Sequence, residues 1–291
     1  MSRPERQVFY PDRVWHGTVA IDENVAMARD TYRLRFACPE IAERVVPGQF
    51  VMLRLPGTSD PLLGRPLALY DTVPGLGGTP ARLDIVYLAV GKMTRRLATS
   101  ERGAPLVVWG PLGNGFPPTA TDHLVMVAGG IGQTPFLALA SEYLGLKRYG
   151  SPPRCVPRAA RVTFLYGVKS AEYLAGVEDF RRLGIEVRIS TEDGSAGYHG
   201  LVTALIEPAI AESPSPCRIV CCGPERMMEA TAALSRQLGV PCQVSLESPM
   251  ACGIGACFSC VAKVRGRGGE PWDYRRTCVE GPVFDAEEIE F

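Results

Sequence analysis

The chain has 291 residues, 46% hydrophobic and 21% charged, a balance typical of a globular protein with a sizeable core. Its 31 basic residues cancel its 31 acidic ones, which argues against a nucleic-acid-binding protein. The N-terminal stretch has no apolar signal core, and the most apolar segment, HLVMVAGGIGQTPFLALASEYL, is interrupted by Gln133, Thr134 and Pro135. Neither provides the roughly 18 apolar residues of a membrane span, so we expect a cytoplasmic protein without a membrane segment.

Residues from Trp15 to about Phe116 form short strand-like runs separated by turn residues. TYRLRFAC and QFVMLRL alternate between apolar and polar residues with period two, and LDIVYLAV is more continuously apolar. Glycine and proline clusters such as VPGLGGTP lie between the runs. Several short strands at this spacing predict an antiparallel β-barrel or sandwich, which we assign to residues 1–117.

After PPTAT, strand-like and helix-like segments alternate as far as residue 240. The predicted strands are HLVMVAGG, RVTFLYG, IEVRIS and RIVCCG. The predicted helices are residues 134–146, SAEYLAGVEDFRRLG, GLVTALIEPAI and PERMMEATAALSRQLG. This alternation predicts a parallel sheet covered by helices, assigned to residues 118–240. The last segment, residues 241–291, has no long periodic element.

The most distinctive motif is a group of cysteines in this last segment. Three of them follow the spacing C-x4-C-x2-C within ACGIGACFSC. With a fourth cysteine further on, this is the spacing of plant-type 2Fe–2S sites, in which four thiolates hold two irons. Gly253 and Gly255 allow backbone N–H groups to approach the negatively charged sulfides. The predicted ligands are Cys252, Cys257, Cys260 and Cys278.

Two other interpretations of these cysteines stay open at this point. A structural zinc site usually pairs two short knuckles, and this segment has one. The third interpretation is a set of buried thiols without a ligand, against which their crowding into a glycine-rich loop argues. Four further cysteines are expected to be inert small apolar residues: Cys38, Cys155, Cys217 and Cys242.

Two turns between a strand and a helix are candidates for binding a nucleotide. VAGGIGQTP combines glycines, which let the backbone approach a pyrophosphate, with the unpaired N–H groups of a helix start. CCGPERMMEA is a second turn of this kind. The first lacks the G-x-G-x-x-G fingerprint and, taken alone, is also compatible with a tight turn of no further function. Both lie at carboxyl ends of predicted parallel strands, where open α/β sheets bind ligands.

In this order, the motifs resemble those of the ferredoxin reductase-like flavoproteins and, more narrowly, of the electron-transfer subunits of type B dihydroorotate dehydrogenases. The segments that carry the resemblance are GRPLALYD, GPLGNGF, VAGGIGQTP, TEDGSAGYHG, CCGPERMM, SLESPMACGIGACFSC and CVEGPVFD. GPLGNGF and the cysteine segment are the most specific of them. The family implies an antiparallel flavin-binding barrel, an α/β pyridine-nucleotide domain and a small C-terminal 2Fe–2S domain, residues 241–291.

The resemblance also implies roles for individual residues. Along the flavin ring and its ribityl-phosphate arm lie Arg65, Pro66, Leu67, Ala68 and Tyr70. On the next strand and at the FAD pyrophosphate turn lie Val86, Leu88, Gly91 and Thr94. At the nicotinamide nucleotide site lie Gly130, Thr134, Asp193, Cys222, Gly223 and Pro224. Relatives carry Ser or Thr at the position of Ala68, so a hydroxyl near the flavin N5 is missing here.

By this resemblance the chain is an electron relay with FAD, a 2Fe–2S cluster and NAD, and it has no catalytic residue for a separate organic substrate. Flavin exchanges one or two electrons and must stand between nicotinamide and the cluster. The implied partner is an FMN-containing catalytic subunit that oxidises dihydroorotate in pyrimidine biosynthesis, within a heterotetramer. The alternatives are a reductase subunit for a ferredoxin, hydrogenase or oxygenase, and a zinc-binding or nucleotide-sensing module on the same scaffold.

Overall fold

The structure is a computed structural model that describes residues 10–57, 59–212, 216–266 and 271–291. It contains a closed six-stranded barrel, a seven-stranded sheet and a separate two-stranded sheet. In these ranges no helix combines the length and the apolar character needed to cross a bilayer. The closed six-stranded sheet shows that the first half, for which the sequence predicts a barrel or a sandwich, is a barrel.

The barrel is antiparallel, with strand order β1-β2-β5-β4-β3-β6. Its strands are β1 Trp15–Ala28, β2 Thr31–Ala37, β3 Phe50–Arg54, β4 Arg65–Pro74, β5 Pro80–Leu88 and β6 Pro105–Leu112. Two short helices, α1 Pro39–Ala42 and α2 Lys92–Ala98, lie in its connections, and a 3-10 turn at Tyr10–Arg13 precedes it. Alternate side chains such as Leu34, Ile85 and Leu106 fill the interior, as a closed barrel of this size requires.

The second half is an α/β unit, as predicted. Its strands are β7 His123–Gly129, β8 Arg161–Val168, β9 Glu186–Thr191, β10 Tyr198–His199, β11 Cys217–Cys222 and β12 Cys242–Ser245. Its helices are α3 Phe136–Tyr143, α4 Val177–Arg182, α5 Ile206–Ala211 and α6 Glu225–Leu238, with 3-10 turns at Gly130–Gln133, Ala171–Tyr173 and Val202–Leu205. The six strands are parallel, and the central β7 is buried along its whole length. A strand that is covered on both faces has a continuously apolar sequence, and this is why the sequence predicts β7.

The last segment completes this sheet and adds a small one. After β13 Val261–Arg265 and β14 Trp272–Arg276, which form the two-stranded sheet, β15 Val283–Asp285 pairs antiparallel with β12. The seven-stranded order is β10-β9-β8-β7-β11-β12-β15. Residues on both sides of the predicted 240/241 division therefore share one sheet, and the divisions at 117/118 and 240/241 stay predictions.

The helix predicted over SAEYLAGVEDFRRLG is broken in the structure. A 3-10 turn, Ala171–Tyr173, is followed by α4, and Gly176 between them has a φ of +70°. A Cβ added at Gly176 would lie 2.5 Å from the hydroxyl of Tyr70 in the barrel. The break thus lets a barrel side chain reach the α/β half, a tertiary requirement that the helical pattern does not contain.

The two halves share a buried apolar cluster. Tyr70 and Val86 of the barrel pack in it with Phe136, Phe164 and Phe180 of the α/β half. The Phe164 and Phe180 rings stack with centroids 4.1 Å apart. This cluster fixes β4 and β5 of the barrel against the α/β half.

Candidate functional site

The four predicted cluster ligands lie together as two pairs. The thiol and the backbone N–H of Cys252 both hydrogen-bond to the Cys257 sulfur. The Cys260 thiol forms a side-chain hydrogen bond with Cys278. Cys260 and Cys278 are buried, Cys252 is half-buried and Cys257 is exposed. In the described ranges, which include all ten cysteines, no disulfide forms. The pairing matches the chemistry of two irons that each take two thiolates.

The surroundings of the thiols favour bound cations. The hydroxyl and N–H of Ser259 lower the pKa of the Cys257 thiol to about 6. Burial, together with the neighbouring Cys260 thiol, raises the pKa of Cys278 to about 12, and a hydrogen bond from the Gly255 N–H partly opposes this. Four ligating thiolates packed this closely need positive charge to offset their repulsion, which two irons supply.

The loop backbone can wrap closely around such a donor set. Gly253 and Gly255 have φ angles of +73° and +84°, a region that glycine enters without strain. The two pairs of thiols fit a two-iron group in which each iron takes two thiolates.

The wall of the barrel supports the cluster loop. Phe50 and Met52 of β3 and Leu112 of β6 form one apolar cluster with Met250, Cys260 and Cys278. A Cβ added at Gly253 would lie 2.7 Å from the Met52 Cγ, so the loop backbone rests directly on β3. The loop is therefore held by the barrel rather than by its own few side chains.

The predicted flavin strand is the immediate neighbour of β3. In the β3–β4 register, Phe50 is opposite Ala68 and Met52 is opposite Pro66. Neighbouring strands lie about 4.8 Å apart. The surface that carries the cluster loop is thus one strand away from the segment predicted to lie along the flavin.

The predicted flavin residues of β4 do not all share a face. Leu67 packs toward the barrel interior, whereas Pro66 and Ala68 alternate with it on the outer face and are half-buried. The Arg65 guanidinium donates to the carbonyls of Leu63 (2.9 Å) and Gly64 (3.0 Å) in its own turn. A cofactor on the outer face would meet the side chains of Pro66 and Ala68.

Tyr70, on β4 of the barrel, contacts the α/β half. Its hydroxyl donates to Asp179 Oδ2 of α4 at 2.8 Å, and burial together with this carboxylate raises its pKa well above the usual range. On β5, Val86 is buried in the shared apolar cluster and Leu88 is half-buried at the strand end. Tyr70 and Val86 therefore line the inner end of the predicted flavin segment.

The predicted pyrophosphate turn is closed by Thr94. Its Oγ1 accepts from the Gly91 N–H at 3.0 Å and donates to the Gly91 carbonyl at 3.2 Å. Helix α2 begins at Lys92, directly after Gly91. The unpaired N–H groups of the helix start therefore lie beside this turn. This geometry suits the negatively charged group that the resemblance implies.

The two predicted nucleotide turns touch each other at the carboxyl ends of β7 and β11. A Cβ added at Gly132 would lie 2.1 Å from the Cys222 carbonyl oxygen, and one added at Gly223 would lie 2.9 Å from the Gly129 nitrogen. Thr134 is buried in the first turn. The structure thus brings five of the predicted nucleotide residues together: Gly130, Thr134, Cys222, Gly223 and Pro224.

Asp193 lies apart from these turns, after β9 and two strands away from β7. Its carboxylate accepts from the Ser195 hydroxyl (2.6 Å) and N–H (2.9 Å), which lower its pKa. It therefore presents a negative charge on the same edge of the sheet. A carboxylate there suits the hydroxyls of a ribose.

Two polar side chains of the nucleotide turns are enclosed by the protein. Gln133 is fully buried, and no described group lies within hydrogen-bonding distance of either of its amide atoms. A buried amide of this kind costs about 1–3 kcal/mol unless a ligand or water satisfies it. Burial and nearby Glu247 raise the pKa of the Cys222 thiol to about 12, so this side chain stays neutral.

A cavity of about 350 Å³ between the two halves belongs to the interface rather than to this site. It lies near the far end of β4, where Asp71 binds Lys147 at 2.6 Å and the Tyr149 hydroxyl at 2.7 Å. Arg35 and Asp84 form a bidentate pair at 2.6 and 2.7 Å. The contacts of Asp71 join the barrel to the segment that follows α3, whereas the Arg35–Asp84 pair links β2 to β5 within the barrel.

Sequence reasoning missed the role of three residues. Trp109 donates its indole N–H to the Cys252 carbonyl at 2.9 Å. Ser259 stabilises the Cys257 thiolate. Asn114, in GPLGNGF, donates to the carbonyls of Glu280 (3.0 Å) and Val283 (2.8 Å) and accepts from the Val283 N–H (3.1 Å). Because GPLGNGF is one of the motifs most specific to the family, it could have pointed to a role for Asn114. No feature of the sequence around Trp109 indicates its contact with Cys252.

Known family models match the nucleotide-binding unit and the cysteine segment. The iron–sulfur cluster binding domain of dihydroorotate dehydrogenase B matches residues 247–290, and the oxidoreductase NAD-binding domain matches residues 126–233. Among solved structures, the NADH-dependent reduced ferredoxin-NADP oxidoreductase aligns with 94% of this chain and 89% of that chain, with a TM-score of 0.77 and 28% identity. A ferredoxin NADP+ reductase from Neisseria gonorrhoeae with bound FAD and NADP has a TM-score of 0.62 and 18% identity over 77% of this chain and 92% of that chain, which shows the shared fold.

Curated relatives match nearly from end to end. The electron transfer subunit of dihydroorotate dehydrogenase B (NAD(+)) from Caldanaerobacter subterraneus subsp. tengcongensis is 35% identical over 277 residues, which are 95% of this chain and 99% of that protein. The subunit of the same name from Geobacillus kaustophilus is 35% identical over 266 residues, 90% of this chain and 94% of that protein. The family predicted from the motifs is confirmed. This chain belongs to the family of dihydroorotate dehydrogenase B electron transfer subunits.

Proposed function

We propose that this chain carries electrons between a catalytic partner subunit and NAD, through a 2Fe–2S cluster and FAD, while dihydroorotate is oxidised to orotate. The observation that supports this most directly is the order of the candidate sites around the barrel. The cluster loop packs on β3, and β3 pairs with β4. Tyr70 of β4 and Val86 of β5 pack on the nucleotide-binding half. A cofactor along β4 would therefore lie between the cluster and the nucleotide turns.

The residues of the chain would bind and orient the three groups. The turns at Gly132 and Gly223 would hold the dinucleotide, and the turn closed by Thr94 would hold the FAD pyrophosphate. The N–H of Gly255 and the hydroxyl of Ser259 would stabilise cluster thiolates. Bound FAD would supply the exchange between two-electron hydride chemistry and one-electron transfer. Dihydroorotate gives up two electrons and two protons; NAD takes both electrons and one proton, and the other proton is released to solvent.

The partner is proposed to dock where the cluster reaches the surface. Cys257 and the Phe258 side chain are exposed there, and Trp272 and Tyr274 are exposed on the β13–β14 sheet that continues from the cluster loop. Arg276 lies 5.1 Å from the Phe258 ring centroid. Exposed aromatic residues combined with arginine are typical of interface cores. The proposal includes an FMN-containing catalytic partner, two of each chain in a heterotetramer, and the reducing cytoplasm as its location.

The test is reconstitution with the catalytic subunit from the same source. Dihydroorotate-dependent formation of NADH should require both chains. The pair of changes Trp272→Ala and Tyr274→Ala should weaken association at least about 10-fold, because aromatic anchors carry much of the binding energy of an interface. Leu76→Ala, which alters an exposed apolar residue of the β4–β5 turn, is the matched control. NADH formation by the catalytic subunit alone would contradict the proposal.

A second candidate is favoured by the similarity to the NADH-dependent reduced ferredoxin-NADP oxidoreductase, which extends over 94% of this chain at 28% identity. On that alternative, the chain would serve a ferredoxin-linked or other reductase partner. Isolation of the chain with its partner from the native source separates the two. An FMN protein that oxidises dihydroorotate supports the first proposal, and any other redox partner supports the second.

A further inference from the structure

Trp109 of β6 fills the space between the flavin strand and the cluster loop. Its indole N–H donates to the carbonyl of Cys252, the first predicted cluster ligand, at 2.9 Å. Another edge of the same ring lies against Gly64, where an added Cβ would be 2.7 Å from the Trp109 Cη2. Gly64 directly precedes Arg65, the first residue of β4. A single indole thus separates the beginning of the flavin strand from the backbone of a cluster ligand.

The barrel holds this indole in place from both sides. In the strand registers, Trp109 is opposite His16 of β1 and Met52 of β3. Its ring centroid is 6.1 Å from that of His16, and the side chain is half-buried. Met52 in turn supports Gly253, the residue after Cys252. Neighbouring positions of the barrel wall therefore fix the same loop, Met52 by packing and Trp109 by a hydrogen bond.

The contact between Trp109 and Gly64 also explains why the segment GRPLALYD begins with a glycine. Gly64 is buried, and any side chain there would collide with the indole or with the Leu53 carbonyl, 3.0 Å from an added Cβ. The close approach of the β4 turn to Trp109 is thus built into the backbone. A change at either residue would alter the same spacing.

We propose that Trp109 is the positioning residue that sets the separation and the electronic coupling between flavin and cluster, an inference that rests on the proposed function. Electron transfer slows steeply with distance, so a rigid spacer between the two sites controls its rate. The positive end of the indole N–H dipole points at the cluster loop, where it favours the reduced cluster and raises its potential. The indole is neither oxidised nor reduced, and it acts through the Cys252 backbone.

Two variants test this role by different routes. Trp109→Phe keeps an aromatic ring in the barrel wall but removes the N–H donor. Gly64→Ala keeps the donor but pushes the ring away from β4. Trp15→Phe, on β1 of the same barrel, is the matched control because Trp15 packs with the barrel core instead. Flavin reduction by NADH and cluster reduction are followed separately by stopped-flow absorbance, and the cluster potential is measured by redox titration with electron paramagnetic resonance.

The expected result is that flavin reduction keeps the wild-type rate in all three variants. In Trp109→Phe, cluster reduction should slow, and the cluster potential should fall enough to shift the one-electron equilibrium about threefold, ~30 mV. Gly64→Ala should also slow cluster reduction, and Trp15→Phe should change neither quantity. Wild-type potential and rate in both Trp109→Phe and Gly64→Ala would overturn the inference. Absence of a cluster signal from the wild-type protein would instead refute the proposed function.

Discussion

The proposed cluster site and the proposed nucleotide site would hold their ligands in opposite ways. The cluster site would use four thiol side chains that lie within residues 252–278. The nucleotide site would use the backbone of two turns, around Gly132 and Gly223, which come from distant parts of the chain and touch only because β7 and β11 are neighbours. The cluster site should therefore be sensitive to the loss of side-chain atoms, and the nucleotide site to their addition.

The largest expected effect comes from removing a cluster ligand. Cys260→Ser replaces a buried thiol beside Cys278. Dihydroorotate-dependent reduction of NAD, assayed with the catalytic subunit, should fall at least about 100-fold, because loss of a ligand exceeds the usual cost of disturbing a metal's surroundings. FAD should stay bound. Cys155→Ser, at an exposed cysteine, is the control and should keep full activity. Wild-type activity in Cys260→Ser would contradict the proposed path.

The opposite kind of change should affect the nucleotide turns. Gly132→Ala adds a Cβ that would lie 2.1 Å from the Cys222 carbonyl oxygen, so the two turns must separate. We expect a roughly tenfold rise in the KM for NADH and a loss of about 1–3 kcal/mol in the free energy of unfolding. The cluster signal should stay unchanged. Gly77→Ala adds the same atom in open space and should be neutral. An unchanged KM in Gly132→Ala would show that the contact is not needed.

A smaller effect should follow from loosening the last segment. Asn114→Ala removes two hydrogen bonds donated to the Glu280 and Val283 carbonyls and one accepted from the Val283 N–H. Because Val283 is buried and loses two of these bonds, whereas the Glu280 carbonyl is exposed, this should cost about 1 kcal/mol. In a urea titration, cluster absorbance should be lost before flavin absorbance. Asn24→Ala, which removes hydrogen bonds within the barrel, should not cause early release of the cluster.

The last effect appears only at alkaline pH and concerns two cysteines outside the cluster loop. Burial raises the pKa of Cys38 and of Cys242 from 9.0 to about 12. A raised folded-state pKa contributes stability below pH 9 that is lost as the pH rises toward 12. The free energy of unfolding should therefore fall less between pH 8 and pH 11 in the double variant Cys38→Ala, Cys242→Ala than in the wild type, as measured by urea unfolding. Parallel losses in the two proteins would contradict this.

The same difference explains what the sequence could predict. The cysteine spacing from Cys252 to Cys278 is local, so it predicts a cluster without knowledge of the fold. The alternation of strands and helices predicted the α/β half for a similar reason. The contact of Gly132 with Cys222, the support of Cys252 by Trp109 and the break at Gly176 depend on which strands and halves meet. Spacing along the chain does not contain that information, and the resemblance pointed to motifs without their contacts.

The proposed relay requires that cluster and flavin lie in one chain, close enough to exchange electrons. An anaerobic titration of the purified chain with NADH, followed by visible absorbance and electron paramagnetic resonance, tests this requirement. We expect the flavin bands to bleach and the signal of a reduced 2Fe–2S cluster to appear in the same titration, without the partner. A colourless protein, or a flavin that is reduced while an intact cluster stays oxidised after addition of excess NADH, would contradict the account.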